Sequence, residues 1–457
     1  MKIGLSLSGG GYRAAAYHLG TLKKLHELGI LPQIDNLSTV SGGSIVGAYY
    51  CLQKDDFAQF ERNMKQKLTT RSVIQYILTT WVFCRTLLLV LMGLGVVSVL
   101  FYTQHPVLGF LSLGLLGYGL LKYQFRLLPV SDLIEQAYQA IFYGDMTLDQ
   151  LPDQPELAIA STNLQTCRPF TFSKRKMEDS FYANMEAPVK FNNRGFPLAR
   201  AVAASSCVPF AFTPIEIPKA YFREPADFER VSPKLIDGGV YDNQGIQKLT
   251  QRGSSYECDV IITSDAGNKL PFDKAYNNTF NLLLRTVDTF MTRIKNVQMA
   301  QHLYDPNQTS LREIAYLSLG WNLADSIPGF VNAIRSGRIA SSVLDAHQLP
   351  AEWIANFTTY KEDITEQVKK SVGYQELLER NLSEEETQLA RCVTTNLKKL
   401  SIRQVDCLMS HAANLTELQI RLYCPLLLTG QTTTDQIGLK PTSSPTSATS
   451  ISHSNSR

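Results

Sequence analysis

The chain opens with one local pattern used twice. A short apolar segment, Ile3 to Leu7, runs into Gly9-Gly10-Gly11; from Tyr12 to Leu28 the apolar residues Ala15, Leu19, Leu22 and Leu25 recur at helical spacing until Gly29. Leu37 to Val40 then runs into Ser41-Gly42-Gly43, and a small-residue helix is expected from Gly42 to Leu52. Continuous apolar strands are buried on both faces, and apolar residues every third or fourth position mark the helices that cover them. Strand, glycine turn and helix in repetition predict an α/β fold with a mostly parallel central sheet. The same beginning argues against a signal peptide, because Met1 to Ser8 holds one basic residue and a short apolar stretch that ends in glycines. The expectation is an α/β part that stays intracellular.

The α/β pattern is then interrupted. Thr86 to Tyr102 contains no charged residue, Thr103-Gln104-His105-Pro106 supplies a turn, and a second apolar run extends from Val107 to Leu121. As helices these runs span roughly 26 Å and 22 Å. Trp81 to Cys84 and the residues around Tyr123 lengthen them, with Arg85 and Lys122 able to snorkel. A helix pair apolar on all sides has no polar face to show water. A membrane hairpin over about 81–125, inserted in the α/β unit, is the expectation, as a spanning or re-entrant pair. Arg62, Lys65, Lys67 and Arg71 before it and Lys122 and Arg126 at its end place both outer ends on the cytoplasmic side.

Past the hairpin, strands are expected at Glu156–Ala160, Lys234–Ile236 and Asp259–Ser264, with a small-residue helix over Ala199–Ser205. Residues 1–270 form the expected catalytic domain, 271–428 a mostly helical region, and 429–457, rich in Ser and Thr, a disordered tail. Charged residues make up 19% of the chain, below the ~25% usual in soluble domains, which agrees with a membrane-buried part. The formal net charge of +3 and the lack of basic runs interleaved with aromatics argue against nucleic acid as a partner. The eight cysteines form no CxxC pair and suit scattered buried thiols in a reducing compartment.

Three short motifs carry chemistry. Ser41, in Thr39-Val40-Ser41-Gly42-Gly43, sits where an apolar strand turns sharply into a helix. Such a turn holds a hydroxyl out toward substrate and brings backbone N–H groups and the positive end of the helix close to it. Thr39 stands where the Gly-x-Ser-x-Gly elbow has its first glycine, and Gly43 where it has its second. Gly9-Gly10-Gly11-Tyr12-Arg13 offers unobstructed N–H groups that suit an oxyanion hole or a phosphate cradle. No Gly-Lys-Ser/Thr follows, which excludes a Walker loop, and Ala14 occupies the last glycine position of the dinucleotide fingerprint. Asp237-Gly238-Gly239 closes a short apolar strand and can present a carboxylate to a nucleophile, although an isolated Asp-Gly is usually a turn.

Taken together, these residues resemble the patatin-like phospholipase family. Gly9 to Arg13 is similar to its glycine-rich oxyanion motif, Thr39 to Gly43 to its nucleophile elbow, and Asp237-Gly238-Gly239 to its catalytic aspartate motif, in the family's order. Ala160-Ser161-Thr162-Asn163-Leu164 and the run from Ala201 to Phe210 resemble two further family segments. The resemblance covers about 1–60 and 130–270. It implies a three-layer α/β hydrolase with a Ser41–Asp237 dyad in which the aspartate takes the serine proton directly and an acyl-enzyme is hydrolysed in a second step. Gly9, Gly10, Gly11 and Arg13 would form the oxyanion hole, with Thr39, Gly43, Gly238 and Gly239 as support. The implied substrate is a membrane lipid: a phospholipid, lysophospholipid or neutral glycerolipid ester.

The residues leave alternatives. An acyltransferase or thioesterase would use the same site, and an inactive membrane scaffold would keep only the fold. A histidine triad is not required: His18 and His26 fall on the first helix, and His302, His347 and His411 lie outside any strand end. No HExxH, EF-hand loop or ligand-spaced acidic cluster points to a metal, and no cofactor is implied. Asp265-Ala266-Gly267 ends the last expected strand, most simply as a turn. Protein partners are not legible.

Overall fold

The computed structural model describes residues 1–210, 212–268, 278–303 and 312–429. The opening units fold as their patterns require: β1 (Ile3–Leu7) leads into α1 (Gly11–Glu27), and β2 (Asn36–Val40) into α2 (Gly42–Leu52). Every residue of β1 and β2 is buried, which explains their unbroken apolar character. The remaining strands are β3 (Glu156–Asn163), β4 (Arg168–Phe172), β5 (Met177–Asp179), β6 (Ile215–Glu216), β7 (Lys234–Asp237), β8 (Val260–Asp265) and β9 (Glu313–Ser318). The sheet runs β5-β4-β3-β2-β1-β8-β9, with β7 paired to β3 and β6.

The sheet is mixed, which corrects the mostly parallel expectation. β1–β2, β1–β8, β2–β3 and β8–β9 are parallel; β3–β4, β4–β5, β3–β7 and β6–β7 are antiparallel. β4 and β5 each follow their predecessor by a short turn, and a short turn can only bring the chain back antiparallel. Helices cover both faces. Alternate residues of β8 show this: Val260 and Ile262 join the main core, whereas Ile261 packs with Ile246, Leu249, Cys258 and Ile314 on the other side.

The 271–428 stretch is not purely helical. β9 lies within it, pairs parallel with β8 and extends the sheet. The Ile402–Tyr423 helix packs along α1 so closely that a Cβ on Gly20 would sit 2.1 Å from the Met409 carbonyl oxygen. This stretch therefore shares the main core with the first helix. The tail beyond residue 429 lies outside the described residues. Five cysteines are buried, but Cys84, Cys167 and Cys392 are exposed, and all eight are free.

The interruption between α2 and β3 is a pair of helices of 22 residues each, Trp81–Tyr102 and Pro106–Leu127. They pack against each other through Gly93 on Leu116, Gly109 on Phe101, and a Phe101–Phe110 edge contact at 5.1 Å. Elsewhere they project from the domain, with only 6% of the apolar window of each helix buried. Both are long and apolar enough to cross a membrane.

Candidate active site

β3 aligns the site. Its pairing with β2 ends at Val40 opposite Ala160, where β2 gives way to the Ser41 turn. On that same edge β7 takes over, with Asp237 opposite Ser161. One step along β3 therefore separates the ends of the two motif strands, and Ser41 and Asp237 become neighbours although 196 positions apart in sequence. The Ser41 side chain lies beside the Asp237 carboxylate, close enough to favour its charged form. The rest of Asp237 is fixed as well. Its N–H donates to the Cys207 carbonyl at 2.8 Å, its carbonyl accepts from Thr162 Oγ1 at 2.9 Å, and its Oδ1 accepts from the Gly239 N–H at 2.7 Å.

Ser41 has φ 49° and ψ −116°, a left-handed conformation that costs a non-glycine residue about 1–3 kcal/mol. Its surroundings enforce it. The Ser41 N–H donates to Ser205 Oγ at 2.9 Å, and Ser205 Oγ in turn donates to the Ala160 carbonyl at 2.6 Å. Gly43 N–H donates to the Ser8 carbonyl at 3.0 Å. Ser205 belongs to the Ala-Ser run, and its part in holding the elbow was not legible before the fold brought it there. Thr39, the departure from the glycine pattern, is accommodated by Gly47. The Thr39 methyl lies 2.7 Å from where a Cβ on Gly47 would be, and Thr39 Oγ1 accepts from Ser44 Oγ at 3.0 Å.

The glycine loop meets the elbow directly. A Cβ on Gly42 would lie 2.2 Å from the Gly11 carbonyl oxygen, so the N-termini of α1 and α2 converge beside Ser41. Gly9 is not a free donor: its N–H bonds the Asn243 carbonyl at 3.0 Å. No acceptor among the described residues takes the N–H of Gly10, Gly11 or Gly42. Arg13 braces the loop, its Nη1 donating to the Val393 carbonyl at 3.3 Å, while Tyr12 N–H donates to the Asn396 carbonyl at 2.9 Å. Residues 393–396, a segment without a sequence signal, thus clamp the loop from behind. Gly238 fits its strand end because a Cβ there would lie 2.4 Å from the Ala160 carbonyl oxygen. Gly239 lies beneath Met291 of the Thr279–His302 helix.

Burial raises the Asp237 carboxyl to about 6, against the lowering effect of the Gly239 N–H and the Ser41 hydroxyl. Four of the described histidines have partners other than the Ser41 and Asp237 side chains. His18 is buried between Ser264 Oγ (2.8 Å) and the Ser8 carbonyl (2.9 Å), and burial pulls it down to about 4. His347 bridges Ser371 and the Leu422 carbonyl, His411 the Leu319 carbonyl, and His302 approaches Thr250. Asp265 is more than a turn. Burial raises its carboxyl, but Lys295 Nζ at 2.5 Å, Tyr316 OH at 2.7 Å and the Gly267 N–H at 2.8 Å together hold it below the usual carboxylate range. Among the described residues no His, Cys, Asp and Glu cluster has a metal-holding arrangement. A cavity of about 500 Å³ lies by β9, lined by Arg312, Trp321 and Asn332, and contains none of the motif residues.

A mixed sheet whose β2 turn carries the serine and whose antiparallel β7 carries the aspartate defines a patatin-like α/β fold. The chain belongs to the patatin-like phospholipase family, whose model matches residues 5–249. No curated protein matches it. Among solved structures it is similar to human GIVD cytosolic phospholipase A2 in complex with methyl gamma-linolenyl fluorophosphonate, at 13% identity and a TM-score of 0.45. That match covers 94% of this chain and 59% of the human one, so the chain spans about three fifths of the length of that relative. VipD from Legionella pneumophila matches at 12% identity and a TM-score of 0.32, covering 93% of this chain and 91% of VipD.

Proposed function

We propose that the chain is a membrane-held lipid acyl hydrolase with Ser41 as nucleophile and Asp237 as general base. The observation that carries this reading is the placement of Ser41, by the pairing of β2 and β7 with β3, beside a buried carboxylate raised to about 6, a base that is ionised yet still proton-accepting near neutral pH. Asp237 takes the hydroxyl proton as Ser41 Oγ attacks the ester carbonyl. The oxyanion that forms is met by the free N–H groups of Gly10, Gly11 and Gly42 at the converging helix ends. Collapse breaks the ester C–O bond, and the leaving alkoxide takes the proton back from Asp237 as the acyl-enzyme forms. Water then attacks the acyl carbonyl as Asp237 accepts its proton, and Asp237 returns that proton to Ser41 Oγ as the acyl C–Oγ bond breaks and fatty acid leaves.

The helices Trp81–Tyr102 and Pro106–Leu127 are each about 33 Å long, a match to a hydrocarbon core of about 30 Å. Their exposed leucine, valine and phenylalanine surfaces support insertion, with the catalytic domain on the cytoplasmic side where Arg126 and the basic residues before Trp81 lie. Such an anchor supplies bilayer ester to the site without moving a lipid through water.

Fatty-acid release from mixed-lipid proteoliposomes tests the reading. Ser41→Ala is expected to lower release by at least about 1,000-fold while the thermal transition stays within a few degrees. Release unchanged by Ser41→Ala would overturn it. Extraction with alkaline carbonate tests the anchor, and full release into the supernatant would show that the hairpin does not insert.

A further inference from the structure

The Thr279–His302 helix has two opposed faces. Met291, Lys295 and Gln298, four and three residues apart, point into the domain: Met291 lies over Gly239, Lys295 pairs with Asp265, and Gln298 lies near enough to Asp242 to favour its charged form. Thr286, Phe290, Arg293 and Val297 fall on the opposite side, with Leu282 and Leu283 one turn earlier. Phe290 is 62% and Val297 53% exposed, and both leucines are exposed too. A helix bound to the fold by one face and carrying large apolar side chains on the other is an interfacial helix by composition. With Lys295 paired inward, the rest of its charge suits such a role, Arg285 and Arg293 against the single carboxylate Asp288.

A second exposed apolar pair lies on the other flank of the site. Val208 and Phe210 are 41% and 56% exposed. They follow Cys207, whose carbonyl accepts the Asp237 N–H. The same segment is bonded to the root of the hairpin: Ser131 Oγ lies 3.2 Å from Cys207 Sγ, and Ser131 N–H donates to Thr213 Oγ1 at 3.3 Å. Hairpin root, Val208–Phe210, Asp237 and the helix over Gly239 are therefore consecutive in space.

We infer that Val208, Phe210 and the outer face of the Thr279–His302 helix form a rim around the site that docks into the headgroup–acyl boundary of the bilayer holding the hairpin. The partner is a lipid surface with anionic headgroups, met by Arg293 beside Phe290 and Val297. The rim gives the site direct contact with the bilayer, so an ester bond reaches Ser41 from the membrane side. This inference rests on the hairpin being inserted.

The full chain in proteoliposomes of phosphatidylcholine and phosphatidylserine tests it. Phe290→Trp is expected to add emission that brominated-chain lipids quench. Phe290→Asp is expected to lower turnover of long-chain phosphatidylcholine in the bilayer about tenfold, and to leave turnover of soluble p-nitrophenyl butyrate within about twofold. Added emission that brominated lipids do not quench, or equal losses on both substrates, would overturn the docking rim. A wild-type protein that turns over neither substrate would sink the hydrolase reading alone, since the quenching measurement needs no activity.

Discussion

Asp237→Asn separates what this carboxylate does for catalysis from what it costs the fold. The folded-state value of about 6 stands above the ordinary 3.8 because burial penalises the charge. A group whose folded pKa is raised stabilises the fold fully only below its unfolded pKa, and that contribution is lost as pH rises through the folded value. Between those two values the loss is on the order of 2 kcal/mol at pH 5 and 3 kcal/mol at pH 8. Asparagine carries no charge, keeps an oxygen for the Gly239 N–H and keeps the size. Relative to wild type, Asp237→Asn is therefore expected to gain on the order of 1 kcal/mol between pH 5 and pH 8, an upward shift of about a degree or two in thermal midpoint. Activity moves the opposite way, down by about 1,000-fold or more, because an amide cannot take the Ser41 proton. Thermal unfolding of both proteins in detergent across that range is the assay. A midpoint difference independent of pH would show that Asp237 is not a buried, reluctantly charged carboxylate, and the base assignment would lose its physical ground.

Further tests address other parts of the arrangement. The pH–rate profile of kcat/KM is expected to rise through an apparent pKa of about 6 and level off above it, since only ionised Asp237 accepts a proton; initial rates from pH 4.5 to 8 check this. Gly42→Ala places a Cβ 2.2 Å from the Gly11 carbonyl, so the two helix ends must part, with activity expected to fall about 100-fold in a folded protein by circular dichroism. Lys295→Met leaves the buried Asp265 carboxylate without its ion-pair partner and is expected to destabilise by about 3–5 kcal/mol, read as a lowered unfolding midpoint.

What could be read from sequence was what a few consecutive residues determine. The elbow at Ser41, the glycine loop and the Asp-Gly-Gly strand end each encode their own backbone, and their boundaries fell within a residue or so of the observed elements. What escaped was set by residues far apart in the chain. β9 was hidden because Glu313–Ser318 is a short apolar run in a stretch of helical composition, and only a place beside β8 makes it a strand. The position of Gly9 in the loop suggests a free donor, but the Asn243 carbonyl takes its N–H. Nothing around Val393 or Asn396 announces that their carbonyls hold the loop, and Ser205 gains its role only because β3 carries Ala160 past it. The mixed sheet is hidden for a related reason, since strand direction depends on connection length and no local pattern marks β4 and β5 as strands.

The place of the hairpin in the chain also sets an order of assembly. β1, β2, the glycine loop and Ser41 are synthesised before Trp81, whereas β3, Asp237 and β8 all follow Leu127. β1 waits for Val260 to gain its second neighbour, and the loop waits for Asn396. A ribosome therefore delivers the two apolar helices while Ser41 still has neither Asp237 beside it nor half its sheet. The candidate site is completed last, after both apolar helices have already emerged.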